Sequence, residues 1–285
     1  LNPHFIPLAA VAAQDAVERA CETAKSVLII PENHTRNTYY LQNVMALSNI
    51  LRSAGFEVRL GSLNPEITEL TELKTALGDT IIIEPLLRTR DRVHLADGFS
   101  PCLVLLNNDL SAGRPEILEG INQKVFPPLH GGWITRRKTT HFGAYNEVAA
   151  EFASLIDIDE WQINPYFEKI SDLNFQHNGD DDVLADAVER MLVKIQAKYD
   201  EKGIQDRPFV IVKADAGTYG MGVMSVKSAD EMRSLNRKSR NKMAKVKEGL
   251  EVNEVIVQEG IYTYETLNGA VSEPVVYMMD RFVIG

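Results

Sequence analysis

Pro208-Phe-Val-Ile-Val-Lys-Ala-Asp-Ala-Gly-Thr-Tyr-Gly-Met-Gly-Val-Met-Ser-Val226 reads as strand, glycine-rich loop, strand. Phe209 to Val212 are β-branched or aromatic, as a buried strand requires. Lys213 falls where that strand ends. Gly217, Gly220 and Gly222 then make a loop that can take positive φ and let a ligand approach its backbone. Successive N–H groups in such a loop form an anion nest, and a lysine at its edge adds a mobile positive charge. The stretch therefore suits a triphosphate clamp. A glycine-rich hairpin with no ligand is the plainer alternative, since isolated glycine patterns are weakly specific.

Outward from this stretch, the 285-residue chain is long enough for two domains with separate cores. Its formal net charge of -10 argues against non-specific binding to nucleic acid or an anionic membrane. The only two cysteines, Cys21 and Cys102, supply neither a metal pair nor a disulfide framework, which fits a reducing cytoplasm. No apolar run reaches the roughly 20 residues of a membrane span, and the first residues lack the order of a signal peptide. Oligomeric state is not legible, and a homo-oligomer is compatible with the sequence.

Upstream, helical and strand patterns alternate. Ala9–Lys25 has a helical face, and Val27-Leu-Ile-Ile30 is a continuous apolar run suited to a strand buried on both sides. A second helix carries Tyr40, Val44, Leu47, Leu51 and Ala54 inward and stops at Gly55, followed by a strand over Phe56–Leu60. Leu70, Leu73 and Leu77 predict a short helix ended by Gly78. Thr80–Ile83 and Cys102–Leu106 predict two more strands. The expectation is an α/β domain with a parallel sheet.

Ligands of such sheets gather beyond the C-terminal strand ends. Those ends lead into Glu32–Asn37, Glu84–Arg90 and Asn107–Asp109. Asn33, Arg36, Arg88 and Arg90 are therefore candidate substrate-binding residues, with solvated loop charges as the alternative for each. A domain transition is expected near Phe126–Trp133, rich in Pro and Gly. The basic run Arg136-Arg137-Lys138 beyond it suits either an anion site, through Arg136, or a solvated helix start. Ala144–Ile156 is read as a helix with Tyr145, Val148, Ala149, Phe152 and Ile156 inward. Asp180–Asp182 reads as helix capping rather than metal binding, because Leu184, Ala187, Val188, Met191, Leu192 and Ile195 share one face behind it. Lys227–Lys247 is basic but lacks interleaved aromatics, so a solvated helix is favoured over nucleic-acid binding. Glu254–Ile261 is a buried strand passing into Gln258-Glu259-Gly260, where exposed backbone groups could pair with an adenine edge. Pro274–Met279 is expected to be the last strand.

A strand-Lys-glycine-loop-strand unit followed about forty residues later by a strand ending in Gln-Glu-Gly-Ile resembles the ATP-grasp superfamily. Pro31–Asn37, Leu105–Gly113, Gly131–Phe142 and Val212–Gly222 resemble its proteobacterial glutamate–cysteine ligase family more closely. That resemblance implies a Rossmann-like substrate domain over 1–130, a helical connector over 131–165 and an ATP-grasp domain over 166–285. It implies ATP and Mg²⁺ as cofactors, with L-glutamate and L-cysteine as substrates. Lys213 resembles the phosphate-contacting lysine; Gly217, Thr218, Gly220 and Gly222 match the loop; Gln258, Glu259 and Ile261 match the adenine hinge. Lys169 is the candidate for a second nucleotide-site lysine, with Lys194 and Lys138 as rivals, and Arg36 joins Lys213 as a candidate catalytic residue. Metal ligands are implied beyond the last strand, so none is named within Leu1–Gly285. The alternatives are a glutathione synthetase-like ligase and a nucleotide-binding module without catalysis.

Overall fold

The continuous apolar run Val27–Ile30 is the centre of the first sheet. In the computed structural model, which describes residues 3–34, 36–173, 180–216, 222–234 and 252–285, all four of these side chains are fully buried. Strand β1 (Ser26–Pro31) pairs in parallel with β2 (Glu57–Ser62) on one side. On its other side it pairs in parallel with β7 (Leu103–Asn107). The helices α1 (Ile6–Ala20) and α2 (Thr38–Ser53) cover one sheet face, where Val27 and Ile29 meet Ala9, Ala13, Leu41 and Leu51. Leu28 and Ile30 point the other way, into Val93, Leu95, Leu110 and Leu118.

Further strands complete this sheet in the order β3-β4-β2-β1-β7-β8, with β3 Thr71–Lys74, β4 Thr80–Pro85 and β8 Lys124–Phe126. All neighbours run parallel except the edge strand β3, which is antiparallel to β4. A small hairpin of β5 (Leu87–Thr89) and β6 (Arg92–His94) carries Val93 into the second face.

The helix expected around Leu70, Leu73 and Leu77 is instead β3 and the turn after it. Only Leu73 packs on the core, while Leu70 and Leu77 are exposed, so the spacing of three and four was accidental. After Pro115 a single short turn of helix forms over Glu116–Leu118.

The chain divides at Gly132/Trp133 into two units, with residues 273–285 folding back into the first. The expected strand Pro274–Met279 shrinks there to a two-residue pairing between β15 (Met278–Met279) and β16 (Phe282–Val283). Ile284 is buried in the α1–α2 core.

The second unit has an antiparallel sheet in the order β11-β10-β12-β9. Its strands are β9 (Phe167–Ile170), β10 (Val210–Ala214), β11 (Val223–Val226) and β12 (Val255–Glu259). Helix α4 (Asp180–Lys202) packs Leu184, Val188, Met191 and Ile195 against Ile170, Val210, Val212, Val255 and Val257, as its 3.6-residue period requires. Helix α3 (Lys138–Ile156) buries only Ala149 and Ala153. Tyr145, Val148, Phe152 and Ile156, expected inward, are exposed. The basic segment after Lys227 begins with the short α5 (Ala229–Arg233), capped by Ser228; its remainder from 235 to 251 lies outside the described residues. A two-residue hairpin, β13 (Thr266–Leu267) with β14 (Ala270–Val271), follows the hinge. Among the described residues, no helix is long and apolar enough to cross a membrane.

Candidate active site

Strand register places the two candidate lysines of the second unit. In the antiparallel sheet, Lys213 of β10 and Lys169 of β9 both stand opposite Ile256 of β12. Directly opposed residues project to the same face. The lysines therefore share one face and lie two strand spacings apart, roughly 10 Å. Gln258, two residues beyond Ile256, shares that face, as does its partner Phe167. The opposite face is the apolar one covered by α4. Alternation thus separates a cationic face from a core face within the same strands.

Each lysine is held by an acceptor near β12. Lys213 donates from Nζ to Gln258 Oε1 at 2.6 Å. Lys169 pairs with Glu254 at 2.6 Å, and Arg137 reaches the other oxygen of that carboxylate at 3.7 Å. The Glu254 carboxylate raises the pKa of Lys169, whereas burial lowers that of Lys213. Among the described residues, the side-chain neighbours of Lys213 Nζ are neutral Gln258 and the Phe142 ring, 5.6 Å away. A desolvated ammonium on a neutral partner is available to an anionic ligand.

The hinge residues divide by face. Gln258 belongs with the lysines. Glu259 points its carboxylate to the other side, where it accepts from Trp161 Nε1 at 3.0 and 3.1 Å and from Tyr166 N at 3.0 Å. Its own N–H bonds to Tyr166 O at 2.8 Å. Burial raises the Glu259 pKa, opposed by these N–H donors. Gly260 lies under the Phe209 ring, where a Cβ would sit 2.2 Å from a ring carbon. Ile261 is exposed on the wall of a hollow that it shares with Trp161, Tyr199, Tyr262 and Tyr264. Of the glycine loop, Gly222 is described, with φ +64°. Gly217, Thr218 and Gly220 lie outside the described residues.

Of the rival lysines, Lys194 places Nζ 3.7 Å from the Tyr166 ring centroid. Lys138 starts α3. Arg136 is exposed and lies over the Trp133 ring at 5.2 Å. The residues that sequence reasoning missed are Glu254, Phe142 and Asp215. Lone acids and a lone aromatic carry no spacing signal; strand register places Glu254, and the contact of α3 with Asp215 and Phe167 places Phe142.

In the first unit, β1 and β7 are neighbours although β2 follows β1 in the chain, so the strand order reverses between them. Their C-terminal ends form a polar rim at this switch point. Tyr40 Oη accepts from Glu32 N at 2.7 Å and donates to Asn107 at 2.8 Å. Glu32 Oε1 accepts from Asp109 N at 2.8 Å, and Asn108 donates to Pro31 O at 3.2 Å. Asn37 caps α2 through Tyr40 N. Asn33 and Arg36 are exposed on this rim. Arg88 is placed differently: its guanidinium donates to the carbonyls of Arg90, Glu116, Ile117 and Glu119, pinning two loops together.

Among the described residues no three His, Cys, Asp or Glu side chains converge as a metal site.

A parallel α/β unit with a polar switch point and an antiparallel unit with paired lysines on one face fit a ligase of the ATP-grasp class. The glutamate-cysteine ligase family model matches residues 1–285, and the chain belongs to that family. Membership makes it a ligase and implies the use of ATP. A crystal structure from Methylobacillus flagellatus, described as a gamma-glutamylcysteine synthetase, is similar at 58% identity and TM-score 0.88. The match covers 100% of this chain and 67% of that one. D-alanyl-alanine synthetase A of Vibrio cholerae matches at 11% identity and TM-score 0.41, over 88% of this chain and 65% of that one. A RimK domain ATP-grasp protein of Sphaerobacter thermophilus matches at 14% identity and TM-score 0.36, over 83% and 65%. Neither of the last two is close enough to bear on the assignment. No curated protein matches the chain.

Proposed function

We propose that this protein joins the γ-carboxyl group of L-glutamate to the amine of L-cysteine at the expense of ATP, forming γ-glutamylcysteine, the first step of glutathione synthesis. The reading is carried by the two lysines opposite Ile256 in a chain of the glutamate-cysteine ligase family. A carboxylate and a triphosphate repel each other until cations intervene, so a face bearing Lys169 and Lys213 is what the chemistry needs. Lys213 leaves neutral Gln258 for a phosphate oxygen, and Lys169 leaves Glu254. Exchange of these partners sets the phosphates over the sheet.

The γ-carboxylate oxygen of glutamate attacks the γ-phosphorus and the bond to ADP breaks, giving an acyl phosphate. The cysteine amine then attacks the acyl carbon, phosphate departs and the amine loses a proton. The chain's share is positioning and charge neutralisation. We assign Arg36 and Asn33, on the first unit's rim, to the substrate carboxylates. The glycines 217, 220 and 222 are assigned to the phosphates, and Gln258 to Ile261 to the adenine edge. Mg²⁺, which this class of reaction uses, would neutralise phosphate charge. Free Cys21 and Cys102 support a reducing, cytoplasmic setting.

Phosphate release tests the reaction. Purified protein given ATP and Mg²⁺ should release phosphate only when glutamate and cysteine are both present. Release that instead requires γ-glutamylcysteine and glycine would contradict it.

A further inference from the structure

Cys21 and Cys102, far apart in sequence, meet at the end of the parallel sheet away from the polar rim. Cys21 closes α1, and its N–H bonds to Val17 O at 2.9 Å. The turn that follows is tight, with Ala24 N–H donating to Cys21 O at 2.9 Å, and it delivers the chain to β1. Cys102 stands one residue before β7, the parallel neighbour of β1, and its N–H donates to Ser26 O at 3.2 Å. Strand pairing thus brings the start of β7 to the turn that ends α1.

Thr23 lies by both sulfurs. Its carbonyl oxygen is 3.9 Å from Cys102 Sγ, and its Oγ1 is 4.0 Å from Cys21 Sγ. The Cys21 side chain is itself a hydrogen-bond partner of Cys102. Ser26 Oγ donates to Cys102 Sγ at 3.9 Å, and the backbone N–H groups of Lys25 and Ser26 face the same sulfur. These donors, Lys25 N–H first, favour the thiolate and hold the Cys102 pKa below the ordinary thiol value, against the opposing effect of burial. Both thiols are free and only partly buried. Among the described residues no acid or histidine joins them as a metal site. A partly exposed thiolate with a second thiol beside it is the arrangement that reacts with peroxide and resolves to a disulfide.

We propose that Cys21 and Cys102 are a peroxide-sensitive dithiol whose oxidation ties the end of α1 to the start of β7. The Cys102 thiolate attacks one oxygen of hydrogen peroxide and the O–O bond breaks. Hydroxide leaves, takes up a proton and becomes water, and Cys102 is left as a sulfenic acid. The Cys21 sulfur then attacks the Cys102 sulfur, the S–O bond breaks, and hydroxide departs with the Cys21 proton as water. Two thiols and one peroxide thus give one disulfide and two waters. The new bond closes the chain from residue 21 to residue 102 and so restricts the unfolded state. It sits roughly 17 Å along β1 from the rim at Pro31, so it acts on stability without covering the rim.

Intact-mass measurement of the whole chain, after hydrogen peroxide treatment and maleimide capping, tests this. The wild type should lose two hydrogens, take up no maleimide and yield a linked Cys21–Cys102 peptide, all reversed by dithiothreitol. Its thermal unfolding midpoint should rise by several degrees in the linked form. Cys21→Ser should stop at oxygen adducts on Cys102, whereas Cys102→Ser should keep Cys21 open to maleimide at the same dose. Both variants should lose the midpoint shift. If either does not fold, Cys21→Ala or Cys102→Ala is read in the same way. A wild type that stays open to maleimide, gains oxygen without a linked peptide, or links only between two chains would overturn the proposal. An unchanged midpoint in the linked form would overturn the tie between α1 and β7.

Discussion

Lys169 and Lys213 stand opposite the same residue, Ile256, from either side of β12. They differ in what holds them. Lys213 rests on a neutral amide, whereas Lys169 shares the Glu254 carboxylate with Arg137. Glu254 therefore occupies, in the free protein, cations that a phosphate would use. Glu254→Gln should tighten ATP binding by roughly two- to fivefold at low salt, the modest effect expected of a solvent-screened pair. The gain should shrink as salt screens it. Titration with ATP at two ionic strengths checks this, and weaker binding in the variant would mean that Glu254 positions Lys169 instead.

A second expectation concerns pH. Burial lowers the Lys213 pKa from 10.5. Only the ammonium form attracts phosphate. ATP affinity should therefore hold near neutral pH and fall as pH rises through the lowered pKa, before the ordinary lysine range. Lys213→Arg stays charged there and should flatten the fall. ATP dissociation constants measured from neutral pH to 10.5 test this, and a flat wild-type profile would contradict it.

The hinge has little room. A Cβ on Gly260 would meet three Phe209 ring carbons at 2.2–2.6 Å, while Gly260 N–H bonds to Phe209 O at 2.8 Å. Gly260→Ala should lower stability by about 1–3 kcal/mol, the usual cost of overpacking. Phe209→Leu in the same chain should recover part of that loss, since contacting residues couple. Denaturant midpoints of both single variants and the double variant give the coupling, and strict additivity would refute the contact.

How much of this was readable from the residues depended on the kind of signal. The run Val27–Ile30 announced a strand buried on both faces, and the α4 stripe from Leu184 to Ile195 announced a helix on a core; both are burial patterns with a period. Leu70, Leu73 and Leu77 carried the same kind of pattern by chance, and the pairing of β3 with β4 overrode it. Apolar positions of α3 misled for a related reason: spacing says which residues share a face, not whether anything in these residues covers that face. Lys213 was legible because it closes an apolar strand, whereas Lys169 was a candidate only through the resemblance, beside Lys194 and Lys138. The face that Lys169 and Lys213 share was not legible, because strand register is a tertiary fact. The same holds for Glu259, whose carboxylate lies on the core side of β12 against Trp161, and for Asp215, whose partner Thr139 is distant in sequence.

The most direct test of the central claim is the titration of ATP into wild type and Lys213→Met. Lys213 is half-buried, and losing a charged hydrogen bond worth about 1.5–3 kcal/mol should weaken binding roughly 10- to 100-fold while the unfolding transition stays in place. Equal ATP affinity in the two proteins would contradict the assignment of this sheet face to the phosphates.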